Sequence, residues 1–298
     1  MQSCLLNDCY GAFEKFVQNE AGGQPRVSVL MAVHNGQETL VEAIQSVLSQ
    51  QYEDFEFLIA DDGSTDETWN LLVQCAAKDA RISIYRQSNI GLTKSLNRLL
   101  LLAKGEYVAR QDADDVWFPD KLCAQLRVMD DNMSLGVLGS AAATLTREGA
   151  VVEGASVVSG TLAVARALAC YNPVVHSSVL MRRSLLVKHG VYDDVFDCAQ
   201  DYELWLRLKK YCGIDNLEKV LCLRRESPGM ISVRKARRQR CFALRAKYNH
   251  LSWRDVSFPM IAWGVKDLLF IVAPLKLHGF ARTVLKSARQ MVSKASTL

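Results

Sequence analysis

The sequence lacks the features that mark secreted proteins and cysteine-bound metal sites. Its nine cysteines, an odd number, include no C-x-x-C pair, so we expect buried thiols in a reducing compartment and no cysteine metal site. The first residues, MQSCLLNDCYGAFEKF, have no basic start, apolar core or small-residue cleavage site, which argues against a signal peptide. No internal repeat or low-complexity segment stands out. These absences favour a cytoplasmic globular chain.

The chain also lacks an uninterrupted apolar run long enough to span a membrane. Segment 258–277 is apolar, but Pro259, Lys266, Asp267 and Pro274 interrupt it, and a spanning helix needs about 20 apolar residues. Basic residues follow this segment, which fits a helix lying in the membrane interface. A core helix of the same domain is the alternative.

Acidic residues are scarce near the carboxyl terminus. From Arg224 onwards there are 16 Lys/Arg and 3 Asp/Glu, whereas the preceding 223 residues hold 20 and 29, so a net charge of +4 conceals a basic tail on an acidic body. Such a tail suggests an anionic partner, either membrane headgroups or nucleic acid, or else solvated helical faces. Aromatic stacking positions are sparse there, which argues against nucleic acid. We therefore expect no nucleic-acid partner. Residues 234–298 either contact an anionic membrane surface or form solvated helical faces.

Strand and helix patterns alternate through the first 112 residues. The apolar runs RVSVLMAV, FEFLIAD, RISIYRQ and EYVARQD predict four strands, and the amphipathic segments ETLVEAIQSVLSQ, ETWNLLVQCAAK and GLTKSLNRLLLLAK predict helices between them. This alternation predicts an α/β fold with a mainly parallel sheet flanked by helices.

The second half is more mixed. VLGSAAATLT, VEGASVVSG and EKVLCLRR are predicted strands, and NPVVHSSVLMRR is a strand that leads into a helix at SLLVKHG. AQDYELWLRLKKY and the basic SVRKARRQRCFALRAKYNH are predicted helices.

Each of the first four strands ends in a polar, turn-forming tip: AVHNG, DDGSTD, QSNIG and DADD. Ligands of open α/β sheets bind outside the carboxyl ends of the strands. In DADD, Asp112 and Asp114 are two residues apart, an arrangement that can hold Mg²⁺ and through it a diphosphate. A solvated turn is the alternative. Asp62 could accept hydrogen bonds from a base or ribose, or form an Asx-turn, and Asp66 is predicted to cap the next helix.

Three blocks together resemble the family-two glycosyltransferases, in particular the bacterial polysaccharide-forming branch. They are RVSVLMAVHNGQETLVEAIQSVLSQQYEDFEFLIADDGSTDET, SNIGLTKSLNRLLLLAKGEYVARQDADDVWFPDKL and CAQDYELWLRL, within residues 25–225. The resemblance implies the glycosyltransferase-A fold, with 25–118 as the nucleotide-sugar half and 119–225 as the acceptor half. Residues 1–24 are then an N-terminal extension, and 226–298 a basic helical C-terminal region.

The resemblance also implies roles for individual residues. The donor-binding set comprises Ala32, Val33, His34, Asn35, Asp62, Asn89, Gly91, Asp112 and Ala113. Lys94 joins this set independently of the resemblance because it could reach a phosphate, with a solvated helical face as the alternative. Asp114 would be the ligand of Mn²⁺ or Mg²⁺, and Asp201 the general base, with a plain helix cap as its alternative. Glu203 and Trp205 flank this base and would contact the acceptor. Independently of the resemblance, His176 faces either the acceptor or the core, and a lone His in an apolar strand is more often a core residue.

The expected function is therefore metal-dependent, inverting transfer of a sugar from a nucleotide-diphosphate sugar, most often a UDP-sugar in this family. The acceptor would be a glycan or a polyprenyl-lipid-linked sugar in cell-surface polysaccharide synthesis, and the enzyme would be cytoplasmic or peripheral at the inner face of the membrane. Two other classes are a nucleotide-sugar-binding protein without transfer activity and a metal-dependent nucleotidyltransferase. The second would want a basic residue in a Gly-rich loop, and AVHNGQE has no Lys or Arg.

Overall fold

The computed structural model describes residues 13–18, 24–146, 149–152, 154, 157–226, 235–252, 255 and 257–272. In these residues a ten-stranded sheet carries helices on both faces. Its strands are β1 (Glu14–Gln18), β2 (Val27–Val33), β3 (Phe55–Asp62), β4 (Ile82–Gln87), β5 (Tyr107–Arg110), β6 (Val116–Trp117), β7 (Leu135–Leu145), β8 (Val151–Val152), β9 (Leu180–Arg182) and β10 (Gly213–Arg225). The helices are α1 (Leu40–Leu48), α2 (Thr68–Ala76), α3 (Leu92–Leu102), α4 (Lys121–Asp131), α5 (Thr161–Cys170), α6 (Arg183–His189), α7 (Gln200–Leu208), α8 (Ala236–His250) and α9 (Phe258–Val272).

Four parallel strands form the N-terminal half of the sheet, in the order β4-β3-β2-β5. Their side chains alternate between two cores. Val29 and Met31 pack with residues of α1, α2 and α4, whereas Leu30 packs with residues of α3 on the other face. Burial on both faces explains the continuous apolar runs in these strands. The predicted mainly parallel sheet with flanking helices is confirmed.

The second half of the chain joins the sheet through β9, which is antiparallel to both β5 and β7. Strand β10 runs parallel to β7, and β6 is antiparallel to the end of β10, with Trp117 opposite Cys222. Residues 111–115 connect β5 to β6. This loop therefore starts at the carboxyl end of β5 and ends beside the carboxyl end of β10, where Val116 lies opposite Leu223.

Three elements differ from the sequence prediction. In VEGASVVSG, residues 157–160 are not a strand, and 153, 155 and 156 lie outside the described residues. NPVVHSSVLMRR holds a 3-10 turn at His176–Ser178 and only the three-residue β9, after which α6 follows at once. The N-terminal extension contributes β1, which pairs antiparallel with β4 at the edge of the sheet. Its exposed residues Glu14, Lys15 and Phe16 gave no buried apolar pattern that would predict a strand.

The two C-terminal helices pack against the second half of the domain. The predicted basic helix is confirmed from Ala236 to His250, while Arg234 and residues 273–298 lie outside the described residues. His250 on α8 contacts Glu203 on α7 at 2.8 Å, and the buried Lys247 Nζ donates to the carbonyl of Cys170 at 2.7 Å. Among the described helices, none combines the length and the apolar composition needed to cross a bilayer.

Candidate active site

Three carboxylates meet in the loop between β5 and β6. One oxygen from each of Asp112, Asp114 and Asp115 lies within 4.8 Å of the others. Asp112 and Asp114 are partly exposed, whereas Asp115 is buried. Strand β5 lies next to β2 in the sheet. The first residue of the loop, Gln111, donates its N–H to the Leu30 carbonyl of β2 at 3.0 Å, so the loop begins beside β2.

Asp115 fixes this loop to the other half of the domain. Its carboxylate accepts from the Arg225 N–H at 3.0 Å and from the Ser177 hydroxyl. The Arg225 guanidinium also donates to the carbonyl of Asp114 at 3.1 Å and pairs with Glu42 on α1. One aspartate of the three is thus an anchor, and the other two line the loop.

The electrostatics of the cluster favour a bound cation. Burial, followed by the charge of Asp112, raises the pKa of Asp114 to about 6, and the same two causes raise that of Asp115 to about 7. Arg110 is buried and pairs with Asp112, but it offsets only part of the repulsion. Oxygen donors in this number suit a hard divalent ion such as Mg²⁺ or Mn²⁺. The residues present therefore fit the predicted metal.

Asp201 lies in the first turn of α7, and Asn172 Nδ2 donates to its carboxylate at 2.7 Å. Ala199, just before the helix, has a left-handed φ of 58°, which costs about 1 kcal/mol for a residue with a Cβ and sets the direction in which α7 begins. Burial raises the pKa of Asp201, opposed by the Tyr202 N–H, Arg110 and Asn172.

Arg110 brings the two predicted catalytic carboxylates into relation. Its charge opposes the rise in the pKa of Asp114 and also the rise in the pKa of Asp201. One buried cation, which is paired with Asp112, thus acts electrostatically on both carboxylates.

His176 packs against Tyr192 and Trp205. Its Nε2 is 2.7 Å from the Tyr192 hydroxyl, and its ring meets the edge of Trp205 with centroids 6.2 Å apart. Burial, followed by the charge of Arg110, lowers the pKa of His176 well below its ordinary value, so the imidazole is neutral near pH 7. Burial also raises the pKa of Tyr192, so its hydroxyl stays protonated.

The structure gives Glu203 and Trp205 supporting positions. Trp205 is fully buried behind His176. The buried Glu203 carboxylate pairs with Arg207 through two contacts of 2.9 Å and with His250, while Arg207 in turn donates to the carbonyls of residues 189–191. Both side chains are buried and make their contacts inside the core. Neither Glu203 nor Trp205 therefore offers exposed surface for the acceptor contact that the sequence predicted.

On the donor side, Asp62 organises the loop after β4. Its carboxylate accepts from the N–H groups of Ile90 and Gly91, each at 2.9 Å, and from Gln87 Nε2 at 2.8 Å. Gly63 has a φ of +73°, and a Cβ at this position would lie 2.7 Å from the Asn89 backbone nitrogen. The loop therefore closes directly over the end of β3.

His34 and Asn35 occupy the exposed end of β2 next to this loop. His34 Nδ1 is 2.9 Å from the Asp62 carbonyl and 3.1 Å from Asn89 Nδ2. Asn35 has a φ of 53°, and its side-chain oxygen accepts from the Thr65 N–H at 2.8 Å. These polar groups surround the strand tips as the sequence predicted.

The other predicted donor residues lie on the same elements. Ala32 is partly buried and Val33 is buried in β2, Lys94 is partly exposed in the first turn of α3, and the Ala113 carbonyl accepts from Thr39 Oγ1 at 2.9 Å. Asp66 accepts from the Thr68 N–H at 3.1 Å, but the N-cap position of α2 is Glu67, one residue later than predicted.

Several site residues were not found from the sequence: Arg110, Asn172, Ser177, Tyr192 and Arg225. A basic residue at the end of an apolar strand, next to an acidic cluster, was a signal for Arg110. The others reach the site only through contacts between distant segments, which no local pattern reveals.

The match to known proteins agrees with this architecture. Residues 28–168 match the family model for glycosyl transferase family 2. Putative glycosyltransferase EpsE of Bacillus subtilis is 35% identical over 187 residues, which cover 61% of this chain and 66% of EpsE. An Escherichia coli protein named UDP-Glc:alpha-D-GlcNAc-diphosphoundecaprenol beta-1,3-glucosyltransferase WfaP is 36% identical over 105 residues, 35% of this chain and 41% of WfaP. The aligned stretch thus spans less than two thirds of each relative's length.

Solved structures share the fold at low sequence identity. S. aureus TarS 1-349 in complex with UDP-GlcNAc has a TM-score of 0.65 at 19% identity, covering 85% of this chain and 77% of that one. The mannosyltransferase PcManGT from Pyrobaculum calidifontis, in complex with GDP-Man and Mn²⁺, has a TM-score of 0.60 at 16% identity, covering 93% and 83%. The sheet and its flanking helices are therefore of the glycosyltransferase-A type.

Proposed function

Because this chain belongs to glycosyl transferase family 2, we propose that it moves a sugar, with inversion, from a nucleotide-diphosphate sugar to an acceptor hydroxyl. The observation that carries the proposal is the cluster of three carboxylates at the end of β5, Asp114 among them. A further buried carboxylate, Asp201, is oriented by Asn172 at 2.7 Å. Inversion needs a proton acceptor and a leaving-group stabiliser on opposite sides of the reacting carbon. Asp201 and Asp114 supply one of each.

The donor nucleotide binds at the tips of β2, β3 and β4. His34 and Asn35 present polar edges beside the Asn89–Gly91 loop, which Asp62 holds in place. Asp62 accepts three hydrogen bonds from the chain, and a carboxylate can accept about four, so one position remains for a base or ribose donor. UDP is the proposed nucleotide, supported by the fold shared with TarS, which was solved with UDP-GlcNAc.

Asp114 and Asp112 would hold Mn²⁺ or Mg²⁺. When bound, such an ion neutralises charge on the departing nucleoside diphosphate. Arg110 keeps Asp112 in position by pairing with it, and Asp115 keeps the loop fixed against β10. The chain thereby holds two carboxylates in place before the donor arrives, which lowers the reorganisation required during the reaction.

Asp201 takes the proton of the acceptor hydroxyl. Burial raises its pKa, which makes it a stronger base than an exposed aspartate with a pKa of about 3.9. Asn172 Nδ2 donates to the carboxylate at 2.7 Å and orients it. The neutral His176 and the Tyr192 hydroxyl, paired at 2.7 Å, form a polar wall for the acceptor sugar.

The proposed acceptor is a glycan or a sugar carried on polyprenyl diphosphate, in cell-surface polysaccharide synthesis at the inner face of the membrane. The name of WfaP, which includes a diphosphoundecaprenol-linked sugar, supports this class. In the proposed domain organisation, 25–225 form the catalytic domain, 1–24 an extension, and 226–298 a basic helical region.

The test replaces Asp201 with Asn, which keeps the size and removes the base. UDP release from a panel of UDP-sugars with Mn²⁺ and lipid-linked acceptors should fall by about 10²–10⁴-fold, while UDP binding by calorimetry stays unchanged. Asp131→Asn, the same change on the exposed end of α4, should leave both quantities unaltered. An Asp201→Asn variant that turns over near the wild-type rate would exclude this residue as the base. Binding without any turnover in the unmodified protein would favour a non-catalytic nucleotide-sugar binder instead.

A further inference from the structure

Helix α9 exposes a continuous apolar stripe. Its members recur at helical spacing along the whole helix, and each is at least half exposed: Phe258, Ile261, Val265, Leu268, Leu269 and Val272. Stripes of this kind normally face a core. Here the stripe faces outwards, and a contiguous exposed apolar surface of this kind marks an interaction site.

The orientation of α9 is fixed by its opposite face. The buried Asp267 carboxylate accepts from Arg240 Nη1 at 2.6 Å and from Lys247 Nζ at 3.2 Å. The Arg240 guanidinium also lies 3.9 Å from the ring centroid of the buried Phe270. Ion pairs and a ring contact therefore hold the polar face of α9 on α8, so the stripe cannot turn inwards without breaking them.

The composition of α9 and the charge around it indicate the partner. The stripe shares the helix with the buried Asp267, which pairs with Arg240 and Lys247, and an amphipathic helix of this kind lies in the plane of the membrane interface. Residues 235–298 carry 13 Lys/Arg against 2 Asp/Glu. A second copy of this chain would bring two such regions of like charge together. An anionic lipid surface offers the complementary charge and an apolar layer at the depth of the stripe.

We infer that α9 lies flat on an anionic phospholipid surface, with its apolar stripe in the boundary between headgroups and acyl chains. The basic residues of α8 and of the chain beyond α9 add electrostatic attraction. This inference rests on the exposed apolar stripe of α9 and on the excess of basic residues in 235–298.

Docking would also place the catalytic half against the membrane. Lys247 joins α9 to the end of α5, and His250 joins α8 to Glu203 in the helix that carries Asp201. A bound α9 therefore fixes the acceptor side of the site next to the lipid. That consequence rests on the proposed function, because only a lipid-linked acceptor gains from it.

The experiment is sedimentation of the full chain with vesicles of phosphatidylcholine alone or with about 30% phosphatidylglycerol, a fraction chosen to give a strongly negative surface. The unmodified chain should partition onto the anionic vesicles at least about tenfold better than onto neutral ones, and about 0.5 M salt should weaken this, since screening shortens to a few ångströms. The double variant Leu268→Glu, Leu269→Glu should lose the anionic binding. The control Leu162→Glu, Val187→Glu, which makes the same change at exposed sites on α5 and α6, should keep it.

Equal binding by both double variants, or no binding by the unmodified chain, would overturn the inference. A concentration-dependent dimer that the α9 variant abolishes, without vesicle binding, would assign the stripe to a second copy instead. Thermal shift with UDP and Mn²⁺ on the same samples separates this inference from the proposed function. Vesicle binding without a nucleotide response refutes the transferase and leaves the docking intact.

Discussion

Proton competition at the acidic cluster should control how tightly the protein binds Mn²⁺. A carboxylate must lose its proton to ligate a metal, so metal affinity falls when pH drops below the pKa of the ligand in the free protein. Burial and Asp112 raise that pKa to about 6 for Asp114. The folded-state pKa lies above the ordinary 3.8, so affinity should be lost in the window around pH 6, well above the range where exposed aspartates titrate.

The expected size follows from that value. With a pKa of about 6, Asp114 is about 3% protonated at pH 7.5 and about 91% protonated at pH 5.0, so the Kd for Mn²⁺ should rise about tenfold, or about 1.4 kcal/mol. An aspartate with the ordinary pKa would be only about 6% protonated at pH 5.0 and would change the Kd very little. Burial, followed by the charges of Asp112 and Asp114, raises the pKa of Asp115 to about 7. If both must ionise, the dependence of log Kd on pH approaches a slope of about two.

Electron paramagnetic resonance of free Mn²⁺ measures this affinity directly between pH 5.0 and 7.5. Nucleotide is left out, because phosphate groups themselves titrate near pH 6. Asp114→Asn should weaken binding at pH 7.5 and flatten the pH dependence, whereas Asp131→Asn should reproduce the unmodified chain. A Kd that stays constant from pH 7.5 to 5.0 in the unmodified chain would refute the reasoning, since it would mean that Asp114 is either not a ligand or not raised in pKa.

Three further perturbations test the site and its support. Burial lowers the pKa of Lys121 from 10.5 to about 7, so the free energy of unfolding rises with pH between 7 and 10.5. Lys121→Met should therefore stabilise the protein at pH 7 by about 2–4 kcal/mol, a figure that allows for the lost contacts with Gln125 and Trp117. Urea unfolding should show this advantage shrinking at pH 9.5. Gly63→Ala should weaken both UDP binding and stability, since the new Cβ would meet the backbone of Asn89. Gly149→Ala, at a φ of +82° with open space around it, should cost only the backbone penalty of about 1–2 kcal/mol. Calorimetry with UDP should show weaker binding for the first variant and unchanged binding for the second. Arg110→Met should move the acidic limb of the kcat/KM profile to higher pH, because Arg110 lowers the pKa of Asp201; an unmoved limb would remove Arg110 from the electrostatics of the base.

The donor half of the fold was predictable because its signals are local. Strand β2 is buried on both faces, so its sequence is a continuous apolar run, and the polar residues at its end mark the tip. The carboxyl ends of parallel strands meet at one edge, so the strand pattern alone is enough to group His34, Asp62 and Asp114. The acceptor half gave weaker signals, because its strands pair in mixed directions and β9 has only three residues.

The contacts that complete the site could not be predicted for a different reason. Ser177 and Arg225 are 62 and 110 residues away from Asp115, and Asn172 is 29 residues before Asp201. Side-chain identity does not specify such partners, since a serine or an asparagine serves equally well in a turn. The roles predicted for Glu203 and Trp205 came from their closeness to Asp201 in sequence. Both side chains are nevertheless buried, because α7 is enclosed on nearly all sides.

The three aspartates of the loop perform different tasks, and the difference explains why so much negative charge can gather there. Burial and the charges of Asp112 and Asp114 raise the pKa of Asp115 to about 7, so this carboxyl gives up its charge near neutral pH. Its hydrogen bond from the Arg225 N–H ties the loop to β10. Asp112 has its own counter-ion in Arg110. None of the ion pairs between described residues involves the Asp114 carboxylate, and the charges of Arg110 and Arg225 offset its burial only in part. Its carboxylate is therefore the one whose free energy would fall most when a cation binds. The fold thus satisfies two of the three charges itself, and the third is the one at which a metal would contribute most.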